Sequence, residues 1–175
     1  MNSYLSSSLT FYSDKITTTM EEFGDEEVII MMDWEAPIMS ASAAYITEGG
    51  GDILEVGFGM GISANYIQSH SISSHTIIEN HPQVIEKLKT WANGKSNVNI
   101  ISQSWADVTG SLGRYDGIFY DTDMDERINL FSSSLSGLTK SGTKLSIWNS
   151  NSSETNSLDI QSGSTTTYYM PMKEF

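Results

Sequence analysis

Residues 55–61, EVGFGMG, contain three glycines at alternate positions. This stretch follows the apolar residues Ile53 and Leu54 and precedes ISANYIQSH, a segment that could form a helix. Glycines at alternate positions leave little side chain on one face of a turn, so another group can approach the backbone closely. The pattern therefore predicts either a ligand-binding turn or a close contact between a helix and a strand.

Apolar runs alternate with helix-length segments on both sides of this turn. The predicted strands from residue 52 onward are DILEVGF, HTIIEN, VNIISQSW, DGIFYDTD and TKLSIWN. The predicted helices are IMSASAAYI before the first strand, then ISANYIQSH, PQVIEKLKTWANG and INLFSSSLSGLTKSG. Strands separated in this way form βαβ units with right-handed crossovers. We therefore expect an α/β fold with a parallel sheet.

The length of 175 residues indicates one folded domain, which we place at residues 28–175. Residues 1–27 are acidic and rich in Ser and Thr, and they predict an arm or a pair of short helices with little core. Residues 150–167 are polar and predict a loop. The segment TYYMPM that follows predicts a final strand.

The net charge of −13 limits the partners of the protein. A surface this negative repels phosphate backbones and anionic lipid head groups, which argues against nucleic acid and membrane surfaces as partners. Two interpretations of the charge remain: the protein binds a small or cationic ligand, or the charge serves only solubility. The absence of cysteine excludes disulfides and thiolate chemistry. No apolar run approaches the roughly 18–20 residues of a membrane span, and the N-terminus lacks the pattern of a secretory signal. We expect a cytoplasmic monomer or homodimer.

The histidines do not indicate a metal site. His70, His75 and His81 do not fall at a ligand spacing on one helix face, so surface or strand-end positions are expected for them. We therefore predict no metal.

Two familiar nucleotide patterns fit the glycine turn poorly. A P-loop needs a lysine directly after its last glycine, and no lysine follows Gly61 before Lys87. A dinucleotide site needs GxGxxG, with Ala allowed at the last position. Counted from Gly59, the run GMGISA ends in Ala64 and satisfies only this relaxed form. The first pattern is excluded and the second stays open.

A third pattern fits the turn in full. Glu55 is followed by glycines at positions 57, 59 and 61, which resembles the glycine signature of Rossmann-like methyltransferases that use S-adenosyl-L-methionine (SAM). In place of a pyrophosphate, this ligand would bring an amino-acid zwitterion and a sulfonium to the turn.

Polar or aromatic residues follow the next three predicted strands. Glu79 ends the second strand, where a carboxylate can bind ribose hydroxyls in NAD and SAM folds alike, or can simply be a solvated strand end. Trp105 ends the third strand and is equally suited to lie against adenine or in the core. Asp121 ends the fourth strand, where it either contacts the reacting nitrogen of a substrate or caps a turn.

Four separate segments resemble the guanidinoacetate methyltransferase family, to which the arginine N-δ-methyltransferases also belong. The segments are VIIMMDWEAPIM, ILEVGFGMGI, HTIIENHPQV and YDGIFYDT. The resemblance runs from about residue 28 to 149, with a weaker similarity at TYYMPM. It implies a Rossmann-like class I methyltransferase sheet with helices on both faces, shortened at the C-terminal end because the region after Trp148 is shorter than in family members. The implied cofactor is SAM, with S-adenosyl-L-homocysteine as product.

The resemblance also implies roles for individual residues. Glu35 would bind a guanidino group, and Asp121 would lie beside the reacting nitrogen. These two are therefore the candidate catalytic and substrate-binding residues. Asn151 and Ser152 would be further substrate contacts. The residues expected around SAM are Met31, Met39, Glu55, Gly57, Phe58, Gly59, Met60, Gly61, Ile62, Ser63, Glu79, Asn80, His81, Ser104, Trp105 and Asp121. Glu35 could instead serve the start of the helix near Pro37, where a carboxylate is favoured.

The N-terminal region has two open features. The aromatic residue that family members place over the cofactor has no clear counterpart before Met31, and Phe11 is the candidate. Residues 1–27 are expected, by analogy with the family's arm, to close over the cavity.

The predicted function is SAM-dependent methylation of a nitrogen in a small guanidino compound, similar to guanidinoacetate or arginine. A methyltransferase for another small amine and a SAM-binding protein with little or no catalysis remain alternatives. A dehydrogenase is a third alternative, supported only by the relaxed pattern from Gly59.

Overall fold

The computed structural model describes residues 3–20, 24, 26–122 and 128–148. The strands are β1 (Leu9–Phe11), β2 (Lys15–Thr19), β3 (Glu27–Met32), β4 (Asp52–Val56), β5 (Ser74–Ile78), β6 (Val98–Ile101), β7 (Tyr115–Tyr120) and β8 (Thr139–Ile147). The helices are α1 (Ser3–Ser6), α2 (Ala36–Ile46), α3 (Ile62–Gln68), α4 (Pro82–Ala92), α5 (Trp105–Val108) and α6 (Ile128–Leu138), with 3-10 turns at Asp33–Glu35 and Thr109–Ser111. Asn151, Ser152 and the predicted strand TYYMPM lie outside the described residues.

Five parallel strands form the larger sheet, in the order β6-β5-β4-β7-β8. The chain moves outward from β4 through β5 to β6, and then returns to the other side of β4 for β7 and β8. The strand order therefore reverses between β4 and β7, and ligands of open α/β sheets bind beyond the carboxyl ends of the strands at this reversal. The predicted α/β fold with a parallel sheet is confirmed.

Apolar side chains cover both faces of this sheet. On one face, Met39 and Ile46 of α2 and Ile67 of α3 pack against Phe119 of β7. On the other face, α5 and α6 cover a cluster that includes Phe131, which is fully buried. Burial on both faces explains why the central strands are nearly continuous apolar runs in the sequence.

The N-terminal region forms a second, antiparallel sheet in the order β1-β2-β3. The expected pair of short helices is wrong for Leu9–Phe11 and Lys15–Thr19, which are strands. Within the described part of this region, α1 is the helix. The region also has a core, since Leu9 and Ile16 pack in a buried cluster with Phe58 after β4. The division between an arm at 1–27 and a domain at 28–175 stays a prediction.

Some predicted boundaries of strands and helices differ from those in the structure. The third predicted strand extended to Trp105, but β6 ends at Ile101 and Trp105 begins α5. The last predicted helix extended to Gly142, but α6 ends at Leu138 and β8 begins at the next residue.

Among the described residues, no helix combines the length and the apolar character that crossing a membrane requires.

Candidate active site

A cavity lies at the carboxyl ends of the parallel strands, where the strand order reverses. Residues after β4, β5, β6, β7 and β8 line it together with residues of α1 and β3. Nine residues predicted from the sequence are in this lining: Met31, Glu35, Gly57, Phe58, Gly59, Glu79, Asn80, Trp105 and Asp121. The fold therefore brings into one cavity residues that are far apart in the sequence.

The glycine turn, residues 57–61, packs tightly against other parts of the protein. Gly57 has a φ of 93°, and a side-chain carbon there would collide with the carbonyl oxygen of Asp121. At Gly59, a side-chain carbon would collide with the sulfur of Met31, which also accepts a hydrogen bond of 3.2 Å from the backbone N–H of Met60. The first two glycines thus allow β7 and β3 to approach the turn, while both residues still line the cavity.

The carboxylate of Glu79 is held in place by the backbone. One oxygen accepts a hydrogen bond from the N–H of Phe58 at 3.0 Å, and the other accepts from Asn80 and His81 at 2.8 Å each. A carboxylate offers about four lone-pair sites, so these three donors leave about one acceptor site for a ligand. Glu79 therefore joins the end of β5 to the glycine turn and presents a fixed negative charge in the cavity lining.

Glu35 and Asp121 supply two further carboxylates to the cavity. Glu35 ends the 3-10 turn after β3 and is buried, and its Oε1 accepts a hydrogen bond of 3.0 Å from the N–H of Met32. Burial raises the pKa of Glu35, and the Met32 hydrogen bond opposes this in part. Asp121 follows β7, and its N–H donates to the carbonyl oxygen of Val56 at 2.9 Å, which ties it to the start of the glycine turn.

The other predicted residues that the structure describes are not part of the cavity lining. Glu55 is fully buried beneath the glycine turn, and Met39 is fully buried on α2. His81 precedes α4 and accepts a hydrogen bond from the N–H of Gln83, while Ser104 precedes α5. The remaining four, in the turn and the start of α3, are Met60, Gly61, Ile62 and Ser63. Direct contact of these residues with a ligand stays a prediction.

Seven lining residues were not predicted from the sequence: Tyr4, Ile30, Val56, Ile78, Gln103, Thr122 and Trp148. Gln103, Thr122 and Trp148 lie within two residues of the ends of β6, β7 and β8, and this position was a usable signal. Tyr4 is the aromatic residue that α1 contributes, and its ring lies 4.9 Å from that of His81. Phe11 is not in the lining; its ring lies under the Lys87 ammonium.

The strand order, the glycine turn after β4 and the cavity at the carboxyl ends of the strands define the fold of class I SAM-dependent methyltransferases. Residues 11–141 match the family model described as guanidinoacetate N-methyltransferase. The chain belongs to this family, as its sequence motifs predicted.

Relatives with curated names include the protein arginine N-methyltransferase 2 of Kluyveromyces lactis, which is 37% identical over 130 residues, 68% of this chain and 30% of the relative. The protein of that name from Aspergillus oryzae is 34% identical over 155 residues, 83% of this chain and 36% of the relative. The chain thus spans about a third of the length of these relatives.

Among solved structures, the Aeropyrum pernix fibrillarin in complex with SAM has a similar fold. The TM-score is 0.52 at 14% sequence identity, and the match covers 80% of this chain and 76% of fibrillarin. At this identity the similarity concerns the fold alone.

Proposed function

We propose that this protein transfers a methyl group from SAM to a nitrogen of a guanidino group. One observation carries the proposal: the carboxylates of Glu35 and Asp121 line the same cavity as the glycine turn. Membership of the guanidinoacetate N-methyltransferase family and the names of the arginine-methylating relatives support it.

The residues around the glycine turn fit SAM. Gly57 and Gly59 add no side chain to the cavity wall, so the backbone of the turn is open to the methionine part of SAM. Glu79 and Trp105 both line the cavity. In this proposal Glu79 would accept a hydrogen bond from the ribose, and Trp105 would contact the adenine. When bound, SAM supplies an electrophilic methyl group on its sulfonium.

The two acidic side chains on the other part of the cavity suit a guanidinium. Its pKa is similar to that of arginine, roughly 12.5–13.8, so the acceptor arrives as a planar cation. Carboxylates bind such a cation through paired N–H···O hydrogen bonds, and Glu35 and Asp121 are the candidates for this contact. Because little of Glu35 is exposed to water, its attraction for the cation is screened less than that of a surface carboxylate.

Asp121 has the position of a proton acceptor. It follows β7, and its backbone N–H is hydrogen-bonded to Val56 at the start of the glycine turn, so on the acceptor side it would be next to the proposed methyl donor. A guanidinium nitrogen is a poor nucleophile until it loses a proton, and a carboxylate held against that nitrogen can accept the proton as the methyl group is transferred. The remaining catalysis would come from holding the nitrogen in line with the methyl group.

The acceptor that we propose is a small guanidino compound, similar to guanidinoacetate or arginine. The names of the relatives favour a second candidate, an arginine side chain within a protein. Both present the same planar cation, which the acidic chain of net charge −13 would attract.

Transfer from radiolabelled SAM to a panel of acceptors tests the proposal. The panel contains guanidinoacetate, arginine, an arginine-containing peptide and simple amines, and calorimetry with SAM and NAD checks the cofactor. We expect SAM binding without NAD binding, and methylation of at least one guanidino compound but of no simple amine. SAM binding without any transfer would favour a binding protein, transfer to amines alone would refute the guanidino assignment, and binding of NAD alone would refute the cofactor.

A further inference from the structure

Trp148 lines the cavity at the carboxyl end of β8. Its backbone N–H donates to the carbonyl oxygen of Tyr120 at 2.9 Å, which fixes it beside the residue that precedes Asp121. The indole is half-buried and packs against the apolar cluster that contains Met31 and Phe119. An aromatic ring therefore forms part of the cavity wall close to the end of β7.

The strand order places this ring at the acceptor end of the cavity. The glycine turn, Glu79 and Trp105 follow β4, β5 and β6, on one side of the strand reversal. Asp121 and Trp148 follow β7 and β8, on the other side. The groups assigned to SAM and the groups left for the methyl acceptor thus occupy different halves of the sheet edge.

Glu35 lies in the same half as Trp148. Helix α2 begins directly after Glu35 and packs over β7 and β8, where the hydroxyls of Ser42 and Ser146 lie 3.0 Å apart. Ser146 is two residues before Trp148 on β8, so α2 and β8 hold Glu35 and the indole at the same end of the cavity. Glu35 and Trp148 both belong to the cavity lining.

We infer that the indole of Trp148 is the surface on which the planar guanidinium of the methyl acceptor stacks, with the carboxylates of Glu35 and Asp121 at its N–H edge. The inference rests on the proposed function and names the residue that selects the cation. Carboxylates bind the N–H edge of a guanidinium and leave its two faces free. An indole attracts a cation placed over its face, and guanidinium groups stack on aromatic rings, whereas a neutral urea gains little from the ring's negative face.

The test uses Trp148→Leu and Trp148→Phe, with Trp34→Leu as the matched control. Trp34 is also a tryptophan near Glu35, but it is 37% exposed and does not line the cavity. Calorimetry in the presence of S-adenosyl-L-homocysteine measures the Kd of arginine, guanidinoacetate and citrulline, the last of which has a neutral urea in place of the guanidinium. Steady-state methylation separates KM from kcat.

We expect Trp148→Leu to raise the Kd and KM of the guanidino acceptor about tenfold, and Trp148→Phe to keep most of the affinity because it keeps an aromatic face. Binding of S-adenosyl-L-homocysteine and of citrulline should change less than about twofold, and Trp34→Leu should leave the acceptor Kd unchanged.

Three outcomes would overturn the assignment of Trp148. They are an unchanged acceptor Kd in Trp148→Leu, an equal loss for arginine and citrulline, and a loss confined to S-adenosyl-L-homocysteine. Equal effects of Trp34→Leu and Trp148→Leu would also count against it. If the unchanged protein binds no guanidino compound, the proposed function itself fails. If the unchanged protein methylates arginine and the Trp148 variants have the same acceptor Kd and KM, only the stacking role of Trp148 fails.

Discussion

The Nε2 atom of His75 lies 2.8 Å from Oε2 of Glu55, and neither side chain is exposed to solvent. The other oxygen of Glu55 accepts a hydrogen bond from the hydroxyl of Ser63 at the start of α3. On the far side of the imidazole, Nε2 of Gln68 lies 3.2 Å from Nδ1 of His75. These contacts join β4, β5 and α3 beneath the glycine turn, so the acidic residue of the glycine signature supports the turn from below.

Replacing Glu55 with alanine should destabilise the protein strongly. The variant leaves the buried hydroxyl of Ser63 without its acceptor and removes the carboxylate that lies against the buried His75. A buried polar group left unpaired costs about 1–3 kcal/mol. We expect the free energy of unfolding, measured in urea, to fall by about 3 kcal/mol or more, since a cavity is added to these losses.

Glu86→Ala is the control for this substitution. Glu86 is exposed on α4 and pairs with Lys89, and such surface pairs contribute about 0–1 kcal/mol. A loss of similar size in both variants would show that the Glu55 network contributes no more than a surface ion pair.

The close approach at Gly57 predicts that Gly57→Ala disrupts the turn. The added carbon would meet the carbonyl oxygen of Asp121, which is backbone and cannot move aside without shifting β7. Gly94→Ala is a matched control, because Gly94 also has a positive φ, 81°, but has no atom near the added carbon. We expect Gly94→Ala to cost about 1–2 kcal/mol from its backbone conformation alone.

Gly57→Ala should lower the free energy of unfolding in urea by more than Gly94→Ala does. It should also raise the Kd of SAM, measured by calorimetry. If the two alanine variants have the same stability and the same SAM affinity, the packing of β7 against the glycine turn does not determine the site.

The larger sheet could be predicted because its signals are local and simple. Buried parallel strands are apolar runs, and a glycine turn, Glu79 and Asp121 mark where three of them end. The N-terminal sheet escaped prediction because its strand β2, KITTT, looks polar. Thr17 and Thr18 are nevertheless buried, and their hydroxyls donate to a carboxylate oxygen of Glu27 and to the carbonyl oxygen of Ser8. Only these tertiary partners make burial of the threonines possible.

The site was predictable where motif and strand end coincide. Glu79 and Asp121 were identified in this way, and Glu35 was identified from the resemblance of its motif; all three line the cavity. Tyr4 was missed because its position depends on how a distant segment folds back onto the sheet, whereas Trp148 follows the end of β8, a signal that was available but not used. Tyr4 reaches the cavity through the N-terminal segment, which is fixed by hydrogen bonds between Leu9 and the side chain of Gln83.

Asp121→Asn should separate catalysis from SAM binding. The amide keeps the size of the side chain but cannot accept the proton that the acceptor nitrogen loses, so we expect kcat to fall by about 10²–10⁴-fold. SAM should still bind measurably, because the glycine turn, Glu79 and Trp105 follow other strands and are unchanged. Asp107→Asn, at an exposed position on α5, is the control and should keep full activity. Transfer from labelled SAM measures the rate, and a fully active Asp121→Asn would remove Asp121 from the mechanism.

Glu35→Gln should change acceptor binding and its pH dependence. Burial raises the pKa of Glu35 above its ordinary value of 4.5, and only the ionised form attracts a guanidinium. The acceptor KM of the unchanged protein should therefore rise as the pH falls through this raised pKa, whereas the variant should have a high KM at every pH. An equal KM for both proteins at neutral pH would contradict the assignment of Glu35 to the guanidino group.

The same substitution should increase stability at neutral pH. A carboxyl group whose pKa is higher in the folded state than in the unfolded state favours folding below its unfolded pKa, and this contribution is lost as the pH rises through the folded pKa. At pH 7 the folded protein holds Glu35 ionised and buried, whereas glutamine is neutral and its side-chain oxygen can still accept from the N–H of Met32. Glu35→Gln should therefore have the higher free energy of unfolding in urea at pH 7, and the difference should shrink towards pH 4. Glu86→Gln, at an exposed position, should show no such gain, and a less stable Glu35→Gln at pH 7 would mean that the ionised carboxylate favours the fold.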